Sequence, residues 1–441
     1  MNSAKIIVID DDPTGSQTVH SCLLLTRWDK QTIVQALRDD APLFFILSNT
    51  RAFDADRAAA VTRQICVNIR HALKQLRAQG MNIAPIIVSR SDSTLRGHYP
   101  VETDVIAREL GPFDAHFLVP AFFEGGRITR DATHYLIVEG RPVPVHETEF
   151  ARDSVFGFSS AFLPDYAEEK TGGRIRASDV RRFDLAKVRG DVRAELRGLS
   201  GNTCCVVDAI EQPDLDGFCR QITEITAEGK RFLFRSAASL LTSLAALPPQ
   251  PTPPERMAVY SRNNNPGAVI VGSYVAKSTR QLTALMALPG ISAIEVEVDR
   301  IQQDREIHLQ QVLHSAATAF DAGLITVIHT SRGERVFGDS TERLAFGEQV
   351  SAFLVDVVRG LPCELGFLVS KGGITSNDIL SRGLELRTAR VLGQVMAGCS
   401  VVHCPDTHPR FPGMPVVIFP GNVGADDGLV QVLARMTGSR G

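Results

Sequence analysis

Short apolar runs alternate with longer amphipathic stretches along the whole chain. Lys5–Asp10 (KIIVID), Leu43–Leu47, Ile83–Val88, His116–Val119 and Thr203–Val207 are runs of four to six largely apolar residues, as expected of buried strands. Between them, Ala58, Val61, Ile65, Ile69, Ala72 and Leu76 recur at three- or four-residue spacing within 55–79, which predicts a helix with one buried face. The pattern resumes later: Ala268–Val271, Ile325–His329, Gly366–Val369 and Val416–Phe419 read as strands, with helices over 278–286 and 304–322. Such alternation predicts an α/β protein with mostly parallel sheets covered on both faces. Residues 150–182 read as a helix plus an irregular insertion.

One segment interrupts the alternation. Pro248, Pro249, Pro251, Pro253 and Pro254 fall within seven residues, and proline neither continues a helix nor donates to a central ladder. The run predicts an extended, semi-rigid spacer. It divides an N-terminal domain, 1–247, from a C-terminal domain, 258–441, with 248–257 as the linker.

Composition narrows the function classes. With 44% hydrophobic and 22% charged residues in 441, each half can bury its own core. The formal net charge of −3 and 6% aromatic content disfavour nucleic-acid binding, which relies on basic surfaces and stacking rings. No apolar run approaches the roughly 18 residues of a transmembrane helix. Three aspartates among the first twelve residues replace the basic start of a signal peptide, so a cytoplasmic location with no membrane partner is expected. The eight cysteines show no CxxC pair and read as reduced, buried thiols. His20, His98, His134, His146, His403 and His408 lack metal-ligand spacing and read as packed or surface groups.

Ligands of open parallel sheets bind beyond the carboxyl ends of the strands, and those positions carry the candidate chemistry. The first run ends in Asp10-Asp11-Asp12-Pro13-Thr14-Gly15-Ser16. Three adjacent carboxylates repel one another and call for donors or a cation. The second run ends in Ser48-Asn49-Thr50-Arg51, the third in SRSDSTLRGH (89–98), and the fourth in PAFFEGGR (120–127). Arginine forks suit bidentate binding of carboxylate or phosphate, so these ends describe a cleft for a small, hydroxylated, anionic ligand. Strand ends in the second half carry Gly272-Ser273, Thr330-Ser331-Arg332-Gly333, Gly372-Gly373-Ile374-Thr375-Ser376 and Gly421-Asn422-Val423-Gly424. Glycine turns let backbone N–H groups approach phosphate oxygens, which favours a nucleotide site. Neither a P-loop nor a dinucleotide-binding fingerprint is present.

In this order, the motifs resemble those of the four-carbon acid sugar kinase family, which includes threonate, erythronate and 3-oxo-tetronate kinases. The likeness spans nearly the whole chain, and its most specific string is SDSTLRG (91–97). It implies a sugar-acid-binding first domain, a nucleotide-binding second domain and an active site in the cleft between them. It further implies ATP and Mg²⁺, transfer of phosphate to a hydroxyl, most plausibly the terminal one, and Asp12 or else Asp11 as the group that accepts its proton. Thr14, Arg51, Arg90, Ser91, Asp92, Ser93, Arg96, Gly97 and Arg127 would surround the acid. Ser273, Gly372, Gly373, Thr375, Ser376, Gly421, Asn422 and Gly424 would surround the nucleotide. Pro13, Ile374 and Val423 depart from the family pattern. Metal ligands, the particular sugar acid and whether the chain forms a homo-oligomer are left open.

Two alternatives stand beside this reading. Asp10 to Thr14 also matches the Asp-x-Asp-x-Thr motif of haloacid-dehalogenase-type phosphatases, with Asp10 as nucleophile and Asp12 as acid/base. That reading leaves SDSTLRG and the glycine-rich half without a role. A non-catalytic sugar-acid-binding protein is the other, and it does not require the carboxylate-rich turn.

Overall fold

The apolar runs of the first half all form strands in a computed structural model of the protein, which describes residues 3–12, 14–273, 275–333, 340–421 and 423–438. Two units form, Met1–Pro249 and Gln250–Gly441.

The strands of the first unit are β1 (Ser3–Asp10), β2 (Leu23–Leu25), β3 (Leu43–Leu47), β4 (Ile83–Arg90), β5 (Ala115–Val119), β6 (Arg127–Arg130), β7 (Thr133–Val138), β8 (Arg141–Pro144), β9 (Arg181–Phe183), β10 (Thr203–Val207) and β11 (Phe232–Ser236). Eight of them lie in the order β2-β3-β1-β4-β11-β5-β10-β9, with every neighbouring pair parallel. Strands β6 to β8 form a separate antiparallel meander. The helix predicted over 55–79 is observed at Ala55–Ala78, its first turn capped by the Asp54 carboxylate, which accepts from the Arg57 N–H at 2.8 Å. Its apolar stripe, Ile65, Ile69 and Leu76, packs on Ile7, Phe44 and Ile46. Elsewhere in the unit Phe117 stacks on Phe234 at a centroid distance of 5.3 Å and meets Phe183 and Phe218.

The second unit contains β12 (Ala268–Val271), β13 (Ile291–Val296), β14 (Ile325–Thr330), β15 (Leu368–Lys371), β16 (Thr388–Met396), β17 (Cys399–His403) and β18 (Pro415–Phe419). Their order is β13-β14-β12-β15-β18-β17-β16. The first five are parallel, and β17 and β16 add on antiparallel. The strand expected at 366–369 sits two residues later, because Gly366 turns at the strand's entrance with its N–H on the Pro266 carbonyl.

Within the proline run the chain is held to the second unit. The Gln250 side chain donates to the Gln394 carbonyl at 3.0 Å and accepts its N–H at 2.8 Å. Residues Pro254–Tyr260 then coil into a 3-10 helix that buries Met257 completely. A side-chain amide that completes the hydrogen bonds of β16 docks the segment on the second unit. Among the described residues no helix is long and apolar enough to cross a membrane. The eight cysteines form no disulfide among the described residues, and all but Cys363 are buried.

Candidate functional site

Strand order selects one location in each unit. In the first, the chain leaves β1, builds β2 and β3 on one side, then crosses to place β4 on the other. This reversal opens a crevice beyond the carboxyl ends of β1 and β4. Those ends carry the acidic turn and the SDSTLRG loop.

Asp11 is buried there. Its Oδ1 receives Arg51 Nη2 at 2.5 Å, and its Oδ2 receives Ser91 Oγ at 2.8 Å. Arg51 also reaches Asp12 at 3.2 Å and Asp92 at 3.9 Å. One guanidinium therefore spans three carboxylates. Asp12 keeps about a fifth of its side chain exposed (21%) and accepts from the Thr14 backbone N–H at 2.8 Å and the Thr14 hydroxyl. Burial pushes the Asp12 carboxyl up, but Arg51, Thr14 and Arg90 outweigh it and hold it below its ordinary range. Asp92 pairs with Arg96 at 2.7 Å. Burial again opposes ionisation, and Arg51, Arg96 and Thr94 prevail to lower its pKa strongly.

Asp10 behaves oppositely. It is fully buried, its Oδ1 lies 3.4 Å from Arg90, and its Oδ2 has no hydrogen-bond partner. Burial, reinforced by Asp11 and Asp12 and only partly offset by Arg90, pushes it up to about 8. A Cβ on Gly15 would overlap its carboxylate. Burial thus favours the neutral form of Asp10.

Gly97 has φ +116°, and a Cβ there would lie 2.6 Å from Ser91 Oγ, 2.7 Å from Arg235 Nη2 and 2.9 Å from Asp11 Oδ2. Only glycine lets the loop close on these groups. Ser93 is held through its carbonyl, which receives His134 Nε2 at 2.8 Å, while Thr129 holds the other ring nitrogen. Arg127 sits at the start of β6, bonded to the Gly125 carbonyl with its Nε buried and unpartnered. Among the described residues it has no carboxylate partner, although it senses the charges of Asp92 and Arg96. All the predicted acid-binding residues of this unit thus belong to one loop cluster, with Arg127 at its unsaturated side.

Sequence reasoning missed a buried pair below this cluster. Arg235 on β11 donates to Ser89 Oγ at 2.8 Å and to Glu102, which also accepts from Thr50. The signal was a lone arginine within the apolar strand FLFRS. Five arginines (51, 90, 96, 127, 235) stand with six acids (10, 11, 12, 92, 102, 153), Asp153 lying 3.7 Å from Arg96, and of the five arginines Arg127 alone has no carboxylate at ion-pair distance among the described residues. The cluster is suited to an added anion.

The second unit repeats the topology. The chain leaves β12, builds β13 and β14 on one side and crosses to β15 on the other. Gly272 and Ser273 follow β12, Gly372 and Gly373 follow β15, and Gly421 follows β18. A Cβ on Gly272 would strike the Thr375 hydroxyl, and Gly372 adopts φ +117° to start the helix Gly373–Asp378. The Ser273 hydroxyl receives Ser278 Oγ at 3.2 Å, and its carbonyl is gripped by both Arg332 Nη atoms at 2.7 and 2.9 Å. Ser376 is turned inward to Ser370, so it braces the helix start instead of facing a ligand. Gly424, at φ +80°, packs against Met396 and Gln281, and Gln281 Nε2 bonds the Val423 and Ala425 carbonyls at 3.0 and 2.7 Å. Asn422 lies outside the described residues. Lys371, overlooked in the sequence, is fully buried at the end of β15 with its Nζ 2.7 Å from the Pro420 carbonyl.

The comparisons with known proteins agree with this division. A family described as "Sugar-binding N-terminal domain" matches residues 6–244 and one described as "Nucleotide-binding C-terminal domain" matches residues 268–429. The protein is thus of the class that joins these two α/β domains in one chain. It belongs to the four-carbon acid sugar kinase family. A D-erythronate kinase of Heliobacterium modesticaldum is 27% identical over 220 residues, 48% of this chain and 47% of that protein. A D-threonate kinase of Bordetella bronchiseptica is 28% identical over 232 residues, 50% of this chain and 51% of that protein. The matches span about half the length of these curated relatives. Solved proteins of Salmonella typhimurium LT2 (TM-score 0.71, 17% identity, 98% of both chains) and Haemophilus influenzae (TM-score 0.65, 16% identity, 98% and 100%) share the fold.

Proposed function

We propose that the protein is an ATP-dependent kinase that phosphorylates a hydroxyl, the terminal one, of a four-carbon acid sugar such as threonate, erythronate or a 3-oxo-tetronate. The carrying observation is the pairing, in one chain, of an arginine-rich switch-point cluster, in which Arg127 has no carboxylate partner among the described residues, and a glycine-lined switch-point crevice in the second unit. The two kinase relatives support it.

Phosphoryl transfer needs positioning and charge neutralisation more than covalent chemistry. Arg127, with its unused donor, and Arg96 are suited to hold the substrate carboxylate. Asp12 is ionised, partly exposed and oriented by Thr14 and Arg51, so it takes or orients the proton of the attacking hydroxyl. Asp11, bound on both oxygens by Arg51 and Ser91, supports the turn. The glycine turns after β12, β15 and β18 receive the phosphates of ATP, supplied as its Mg²⁺ complex. The phosphatase alternative asks for Asp10 as nucleophile, whereas Asp10 is fully buried with Gly15 packed against its carboxylate, which disfavours that role.

ATP consumption measured against a panel of threonates, erythronates and 3-oxo-tetronates tests the proposal. Turnover is expected only with one of these acids present. Phosphate release from a sugar phosphate without ATP would overturn it. Asp12→Asn is expected to lower kcat by roughly 10²-fold or more with little change in the KM for ATP; near-normal turnover would remove Asp12 from the proton-accepting role.

A further inference from the structure

Lys371 is a buried lysine with no anionic partner among the described residues. It ends β15, directly before Gly372, and its side chain is fully buried. Its Nζ donates to the Pro420 carbonyl at 2.7 Å, reaches the Gly421 carbonyl at 3.4 Å and lies 3.9 Å from the centroid of the Phe419 ring. The titratable groups that face it are the Cys399 thiol on β17 and the Lys277 ammonium on the helix Ala276–Met286. Burial holds Cys399 well above the ordinary thiol range, as a neutral group, and Lys277 repels. No carboxylate compensates among the described residues. A buried ammonium left in this way is expensive to keep charged, and the chain would avoid it unless it served another group.

Peptide geometry indicates that group. In a trans peptide the C=O and the following N–H point to opposite sides. A Pro420 carbonyl pinned to Lys371 turns the Gly421 N–H away from the lysine. Gly421 borders Ser273, whose hydroxyl would lie 3.8 Å from a Cβ at that position, and Ser278 Oγ reaches the Gly421 carbonyl at 3.4 Å. The freed N–H thus belongs to the glycine-lined crevice between β12, β15 and β18.

We propose that Lys371 is a positioning residue for the nucleotide: it orients the Pro420–Gly421 turn so that backbone N–H faces the phosphates, and the phosphate charge, acting across the turn, favours its ammonium form. This rests on the nucleotide-site reading above. The consequence is a coupling between nucleotide and proton. Burial, with a smaller contribution from Lys277 and against Cys399, lowers Lys371 to about 7 in the free protein. An anion brought close favours the ammonium, so binding draws a proton from solvent at pH 8.

The test is calorimetric titration of the full chain with ATP and Mg²⁺ at pH 8, in two buffers of different ionisation enthalpy, for wild type and Lys371→Met. Wild type is expected to take up about half a proton or more per nucleotide. Lys371→Met is expected to lose that uptake and to bind ATP about tenfold or more weakly, with the KM for the sugar acid unchanged. Lys371→Arg, which keeps the charge, should recover part of the affinity. Lys371→Met with wild-type affinity and uptake would overturn the proposal while leaving the kinase reading intact. Wild-type protein that binds no adenine nucleotide would overturn both. Should Lys371→Met not fold, absence of uptake by wild type is itself sufficient to overturn the proposal.

Discussion

Asp10 and Lys371 each end a parallel strand that borders a switch point, and burial drives each toward its neutral form. For Asp10 the effect on stability has a defined sign. Its pKa rises from 3.8 to about 8 on folding, so between those values the folded chain holds a proton that the unfolded chain has released. The Asp10 contribution is fully present below about pH 4, declines through that window and is flat above it. Asp10→Asn removes the dependence. Denaturant unfolding at pH 5 and pH 8 should show the variant gaining stability relative to wild type at the higher pH. A difference independent of pH would mean that Asp10 ionises normally. The cluster's acids were legible as a run of three in the sequence; their division into one driven toward its neutral form, one doubly bound and one partly exposed carboxylate was not. That division depends on Arg51, Ser91 and Arg90, which arrive from β3 and β4.

At the scale of elements, the loop after β4 illustrates how local conformation and chemistry coincide. Leu95 and Gly97 both have positive φ, 68° and 116°, and the Tyr166 hydroxyl holds the Leu95 carbonyl at 2.9 Å. The resulting fold of the loop brings Ser91 to Asp11 and Arg96 to Asp92. Gly97→Ala would impose a Cβ on three buried polar groups and an unfavourable φ. The expected loss is about 1–3 kcal/mol of stability, with activity reduced at least tenfold as the acidic turn is displaced. Thermal unfolding and steady-state kinetics check this; an unchanged melting temperature with full activity would contradict it. Nine of the eighteen strands among the described residues were readable, because apolar runs of four to six residues leave little choice. Of the missed ones, β2 and β9 are short and β11 contains an arginine, and tertiary pairing stabilises them where local propensity does not. Arg235 belongs to this category: a charge inside a strand reads as a break until Glu102 and Ser89 are placed beside it.

At the scale of the molecule, two units each carry a parallel sheet whose chain reversal falls at the predicted motifs. If the chemistry is divided as proposed, ligands should protect the units selectively. In amide exchange on the full chain, ATP with Mg²⁺ should slow residues after β12, β15 and β18 most, and a productive sugar acid should slow the loops after β1, β3 and β4. At a ligand concentration of 100 Kd the stabilisation is about 2.7 kcal/mol. Protection of the first unit by ATP alone would reverse the assignment. The sequence by itself determined the α/β class and the placement of arginine- and glycine-rich motifs at strand ends, because periodicity, glycine and arginine act locally or through a fixed strand polarity. Tertiary structure alone decided which strands adjoin, and hence which charges meet. It buried Asp10 and Lys371, raising one pKa and lowering the other. Desolvation and pairing energies are set by neighbours distant in sequence.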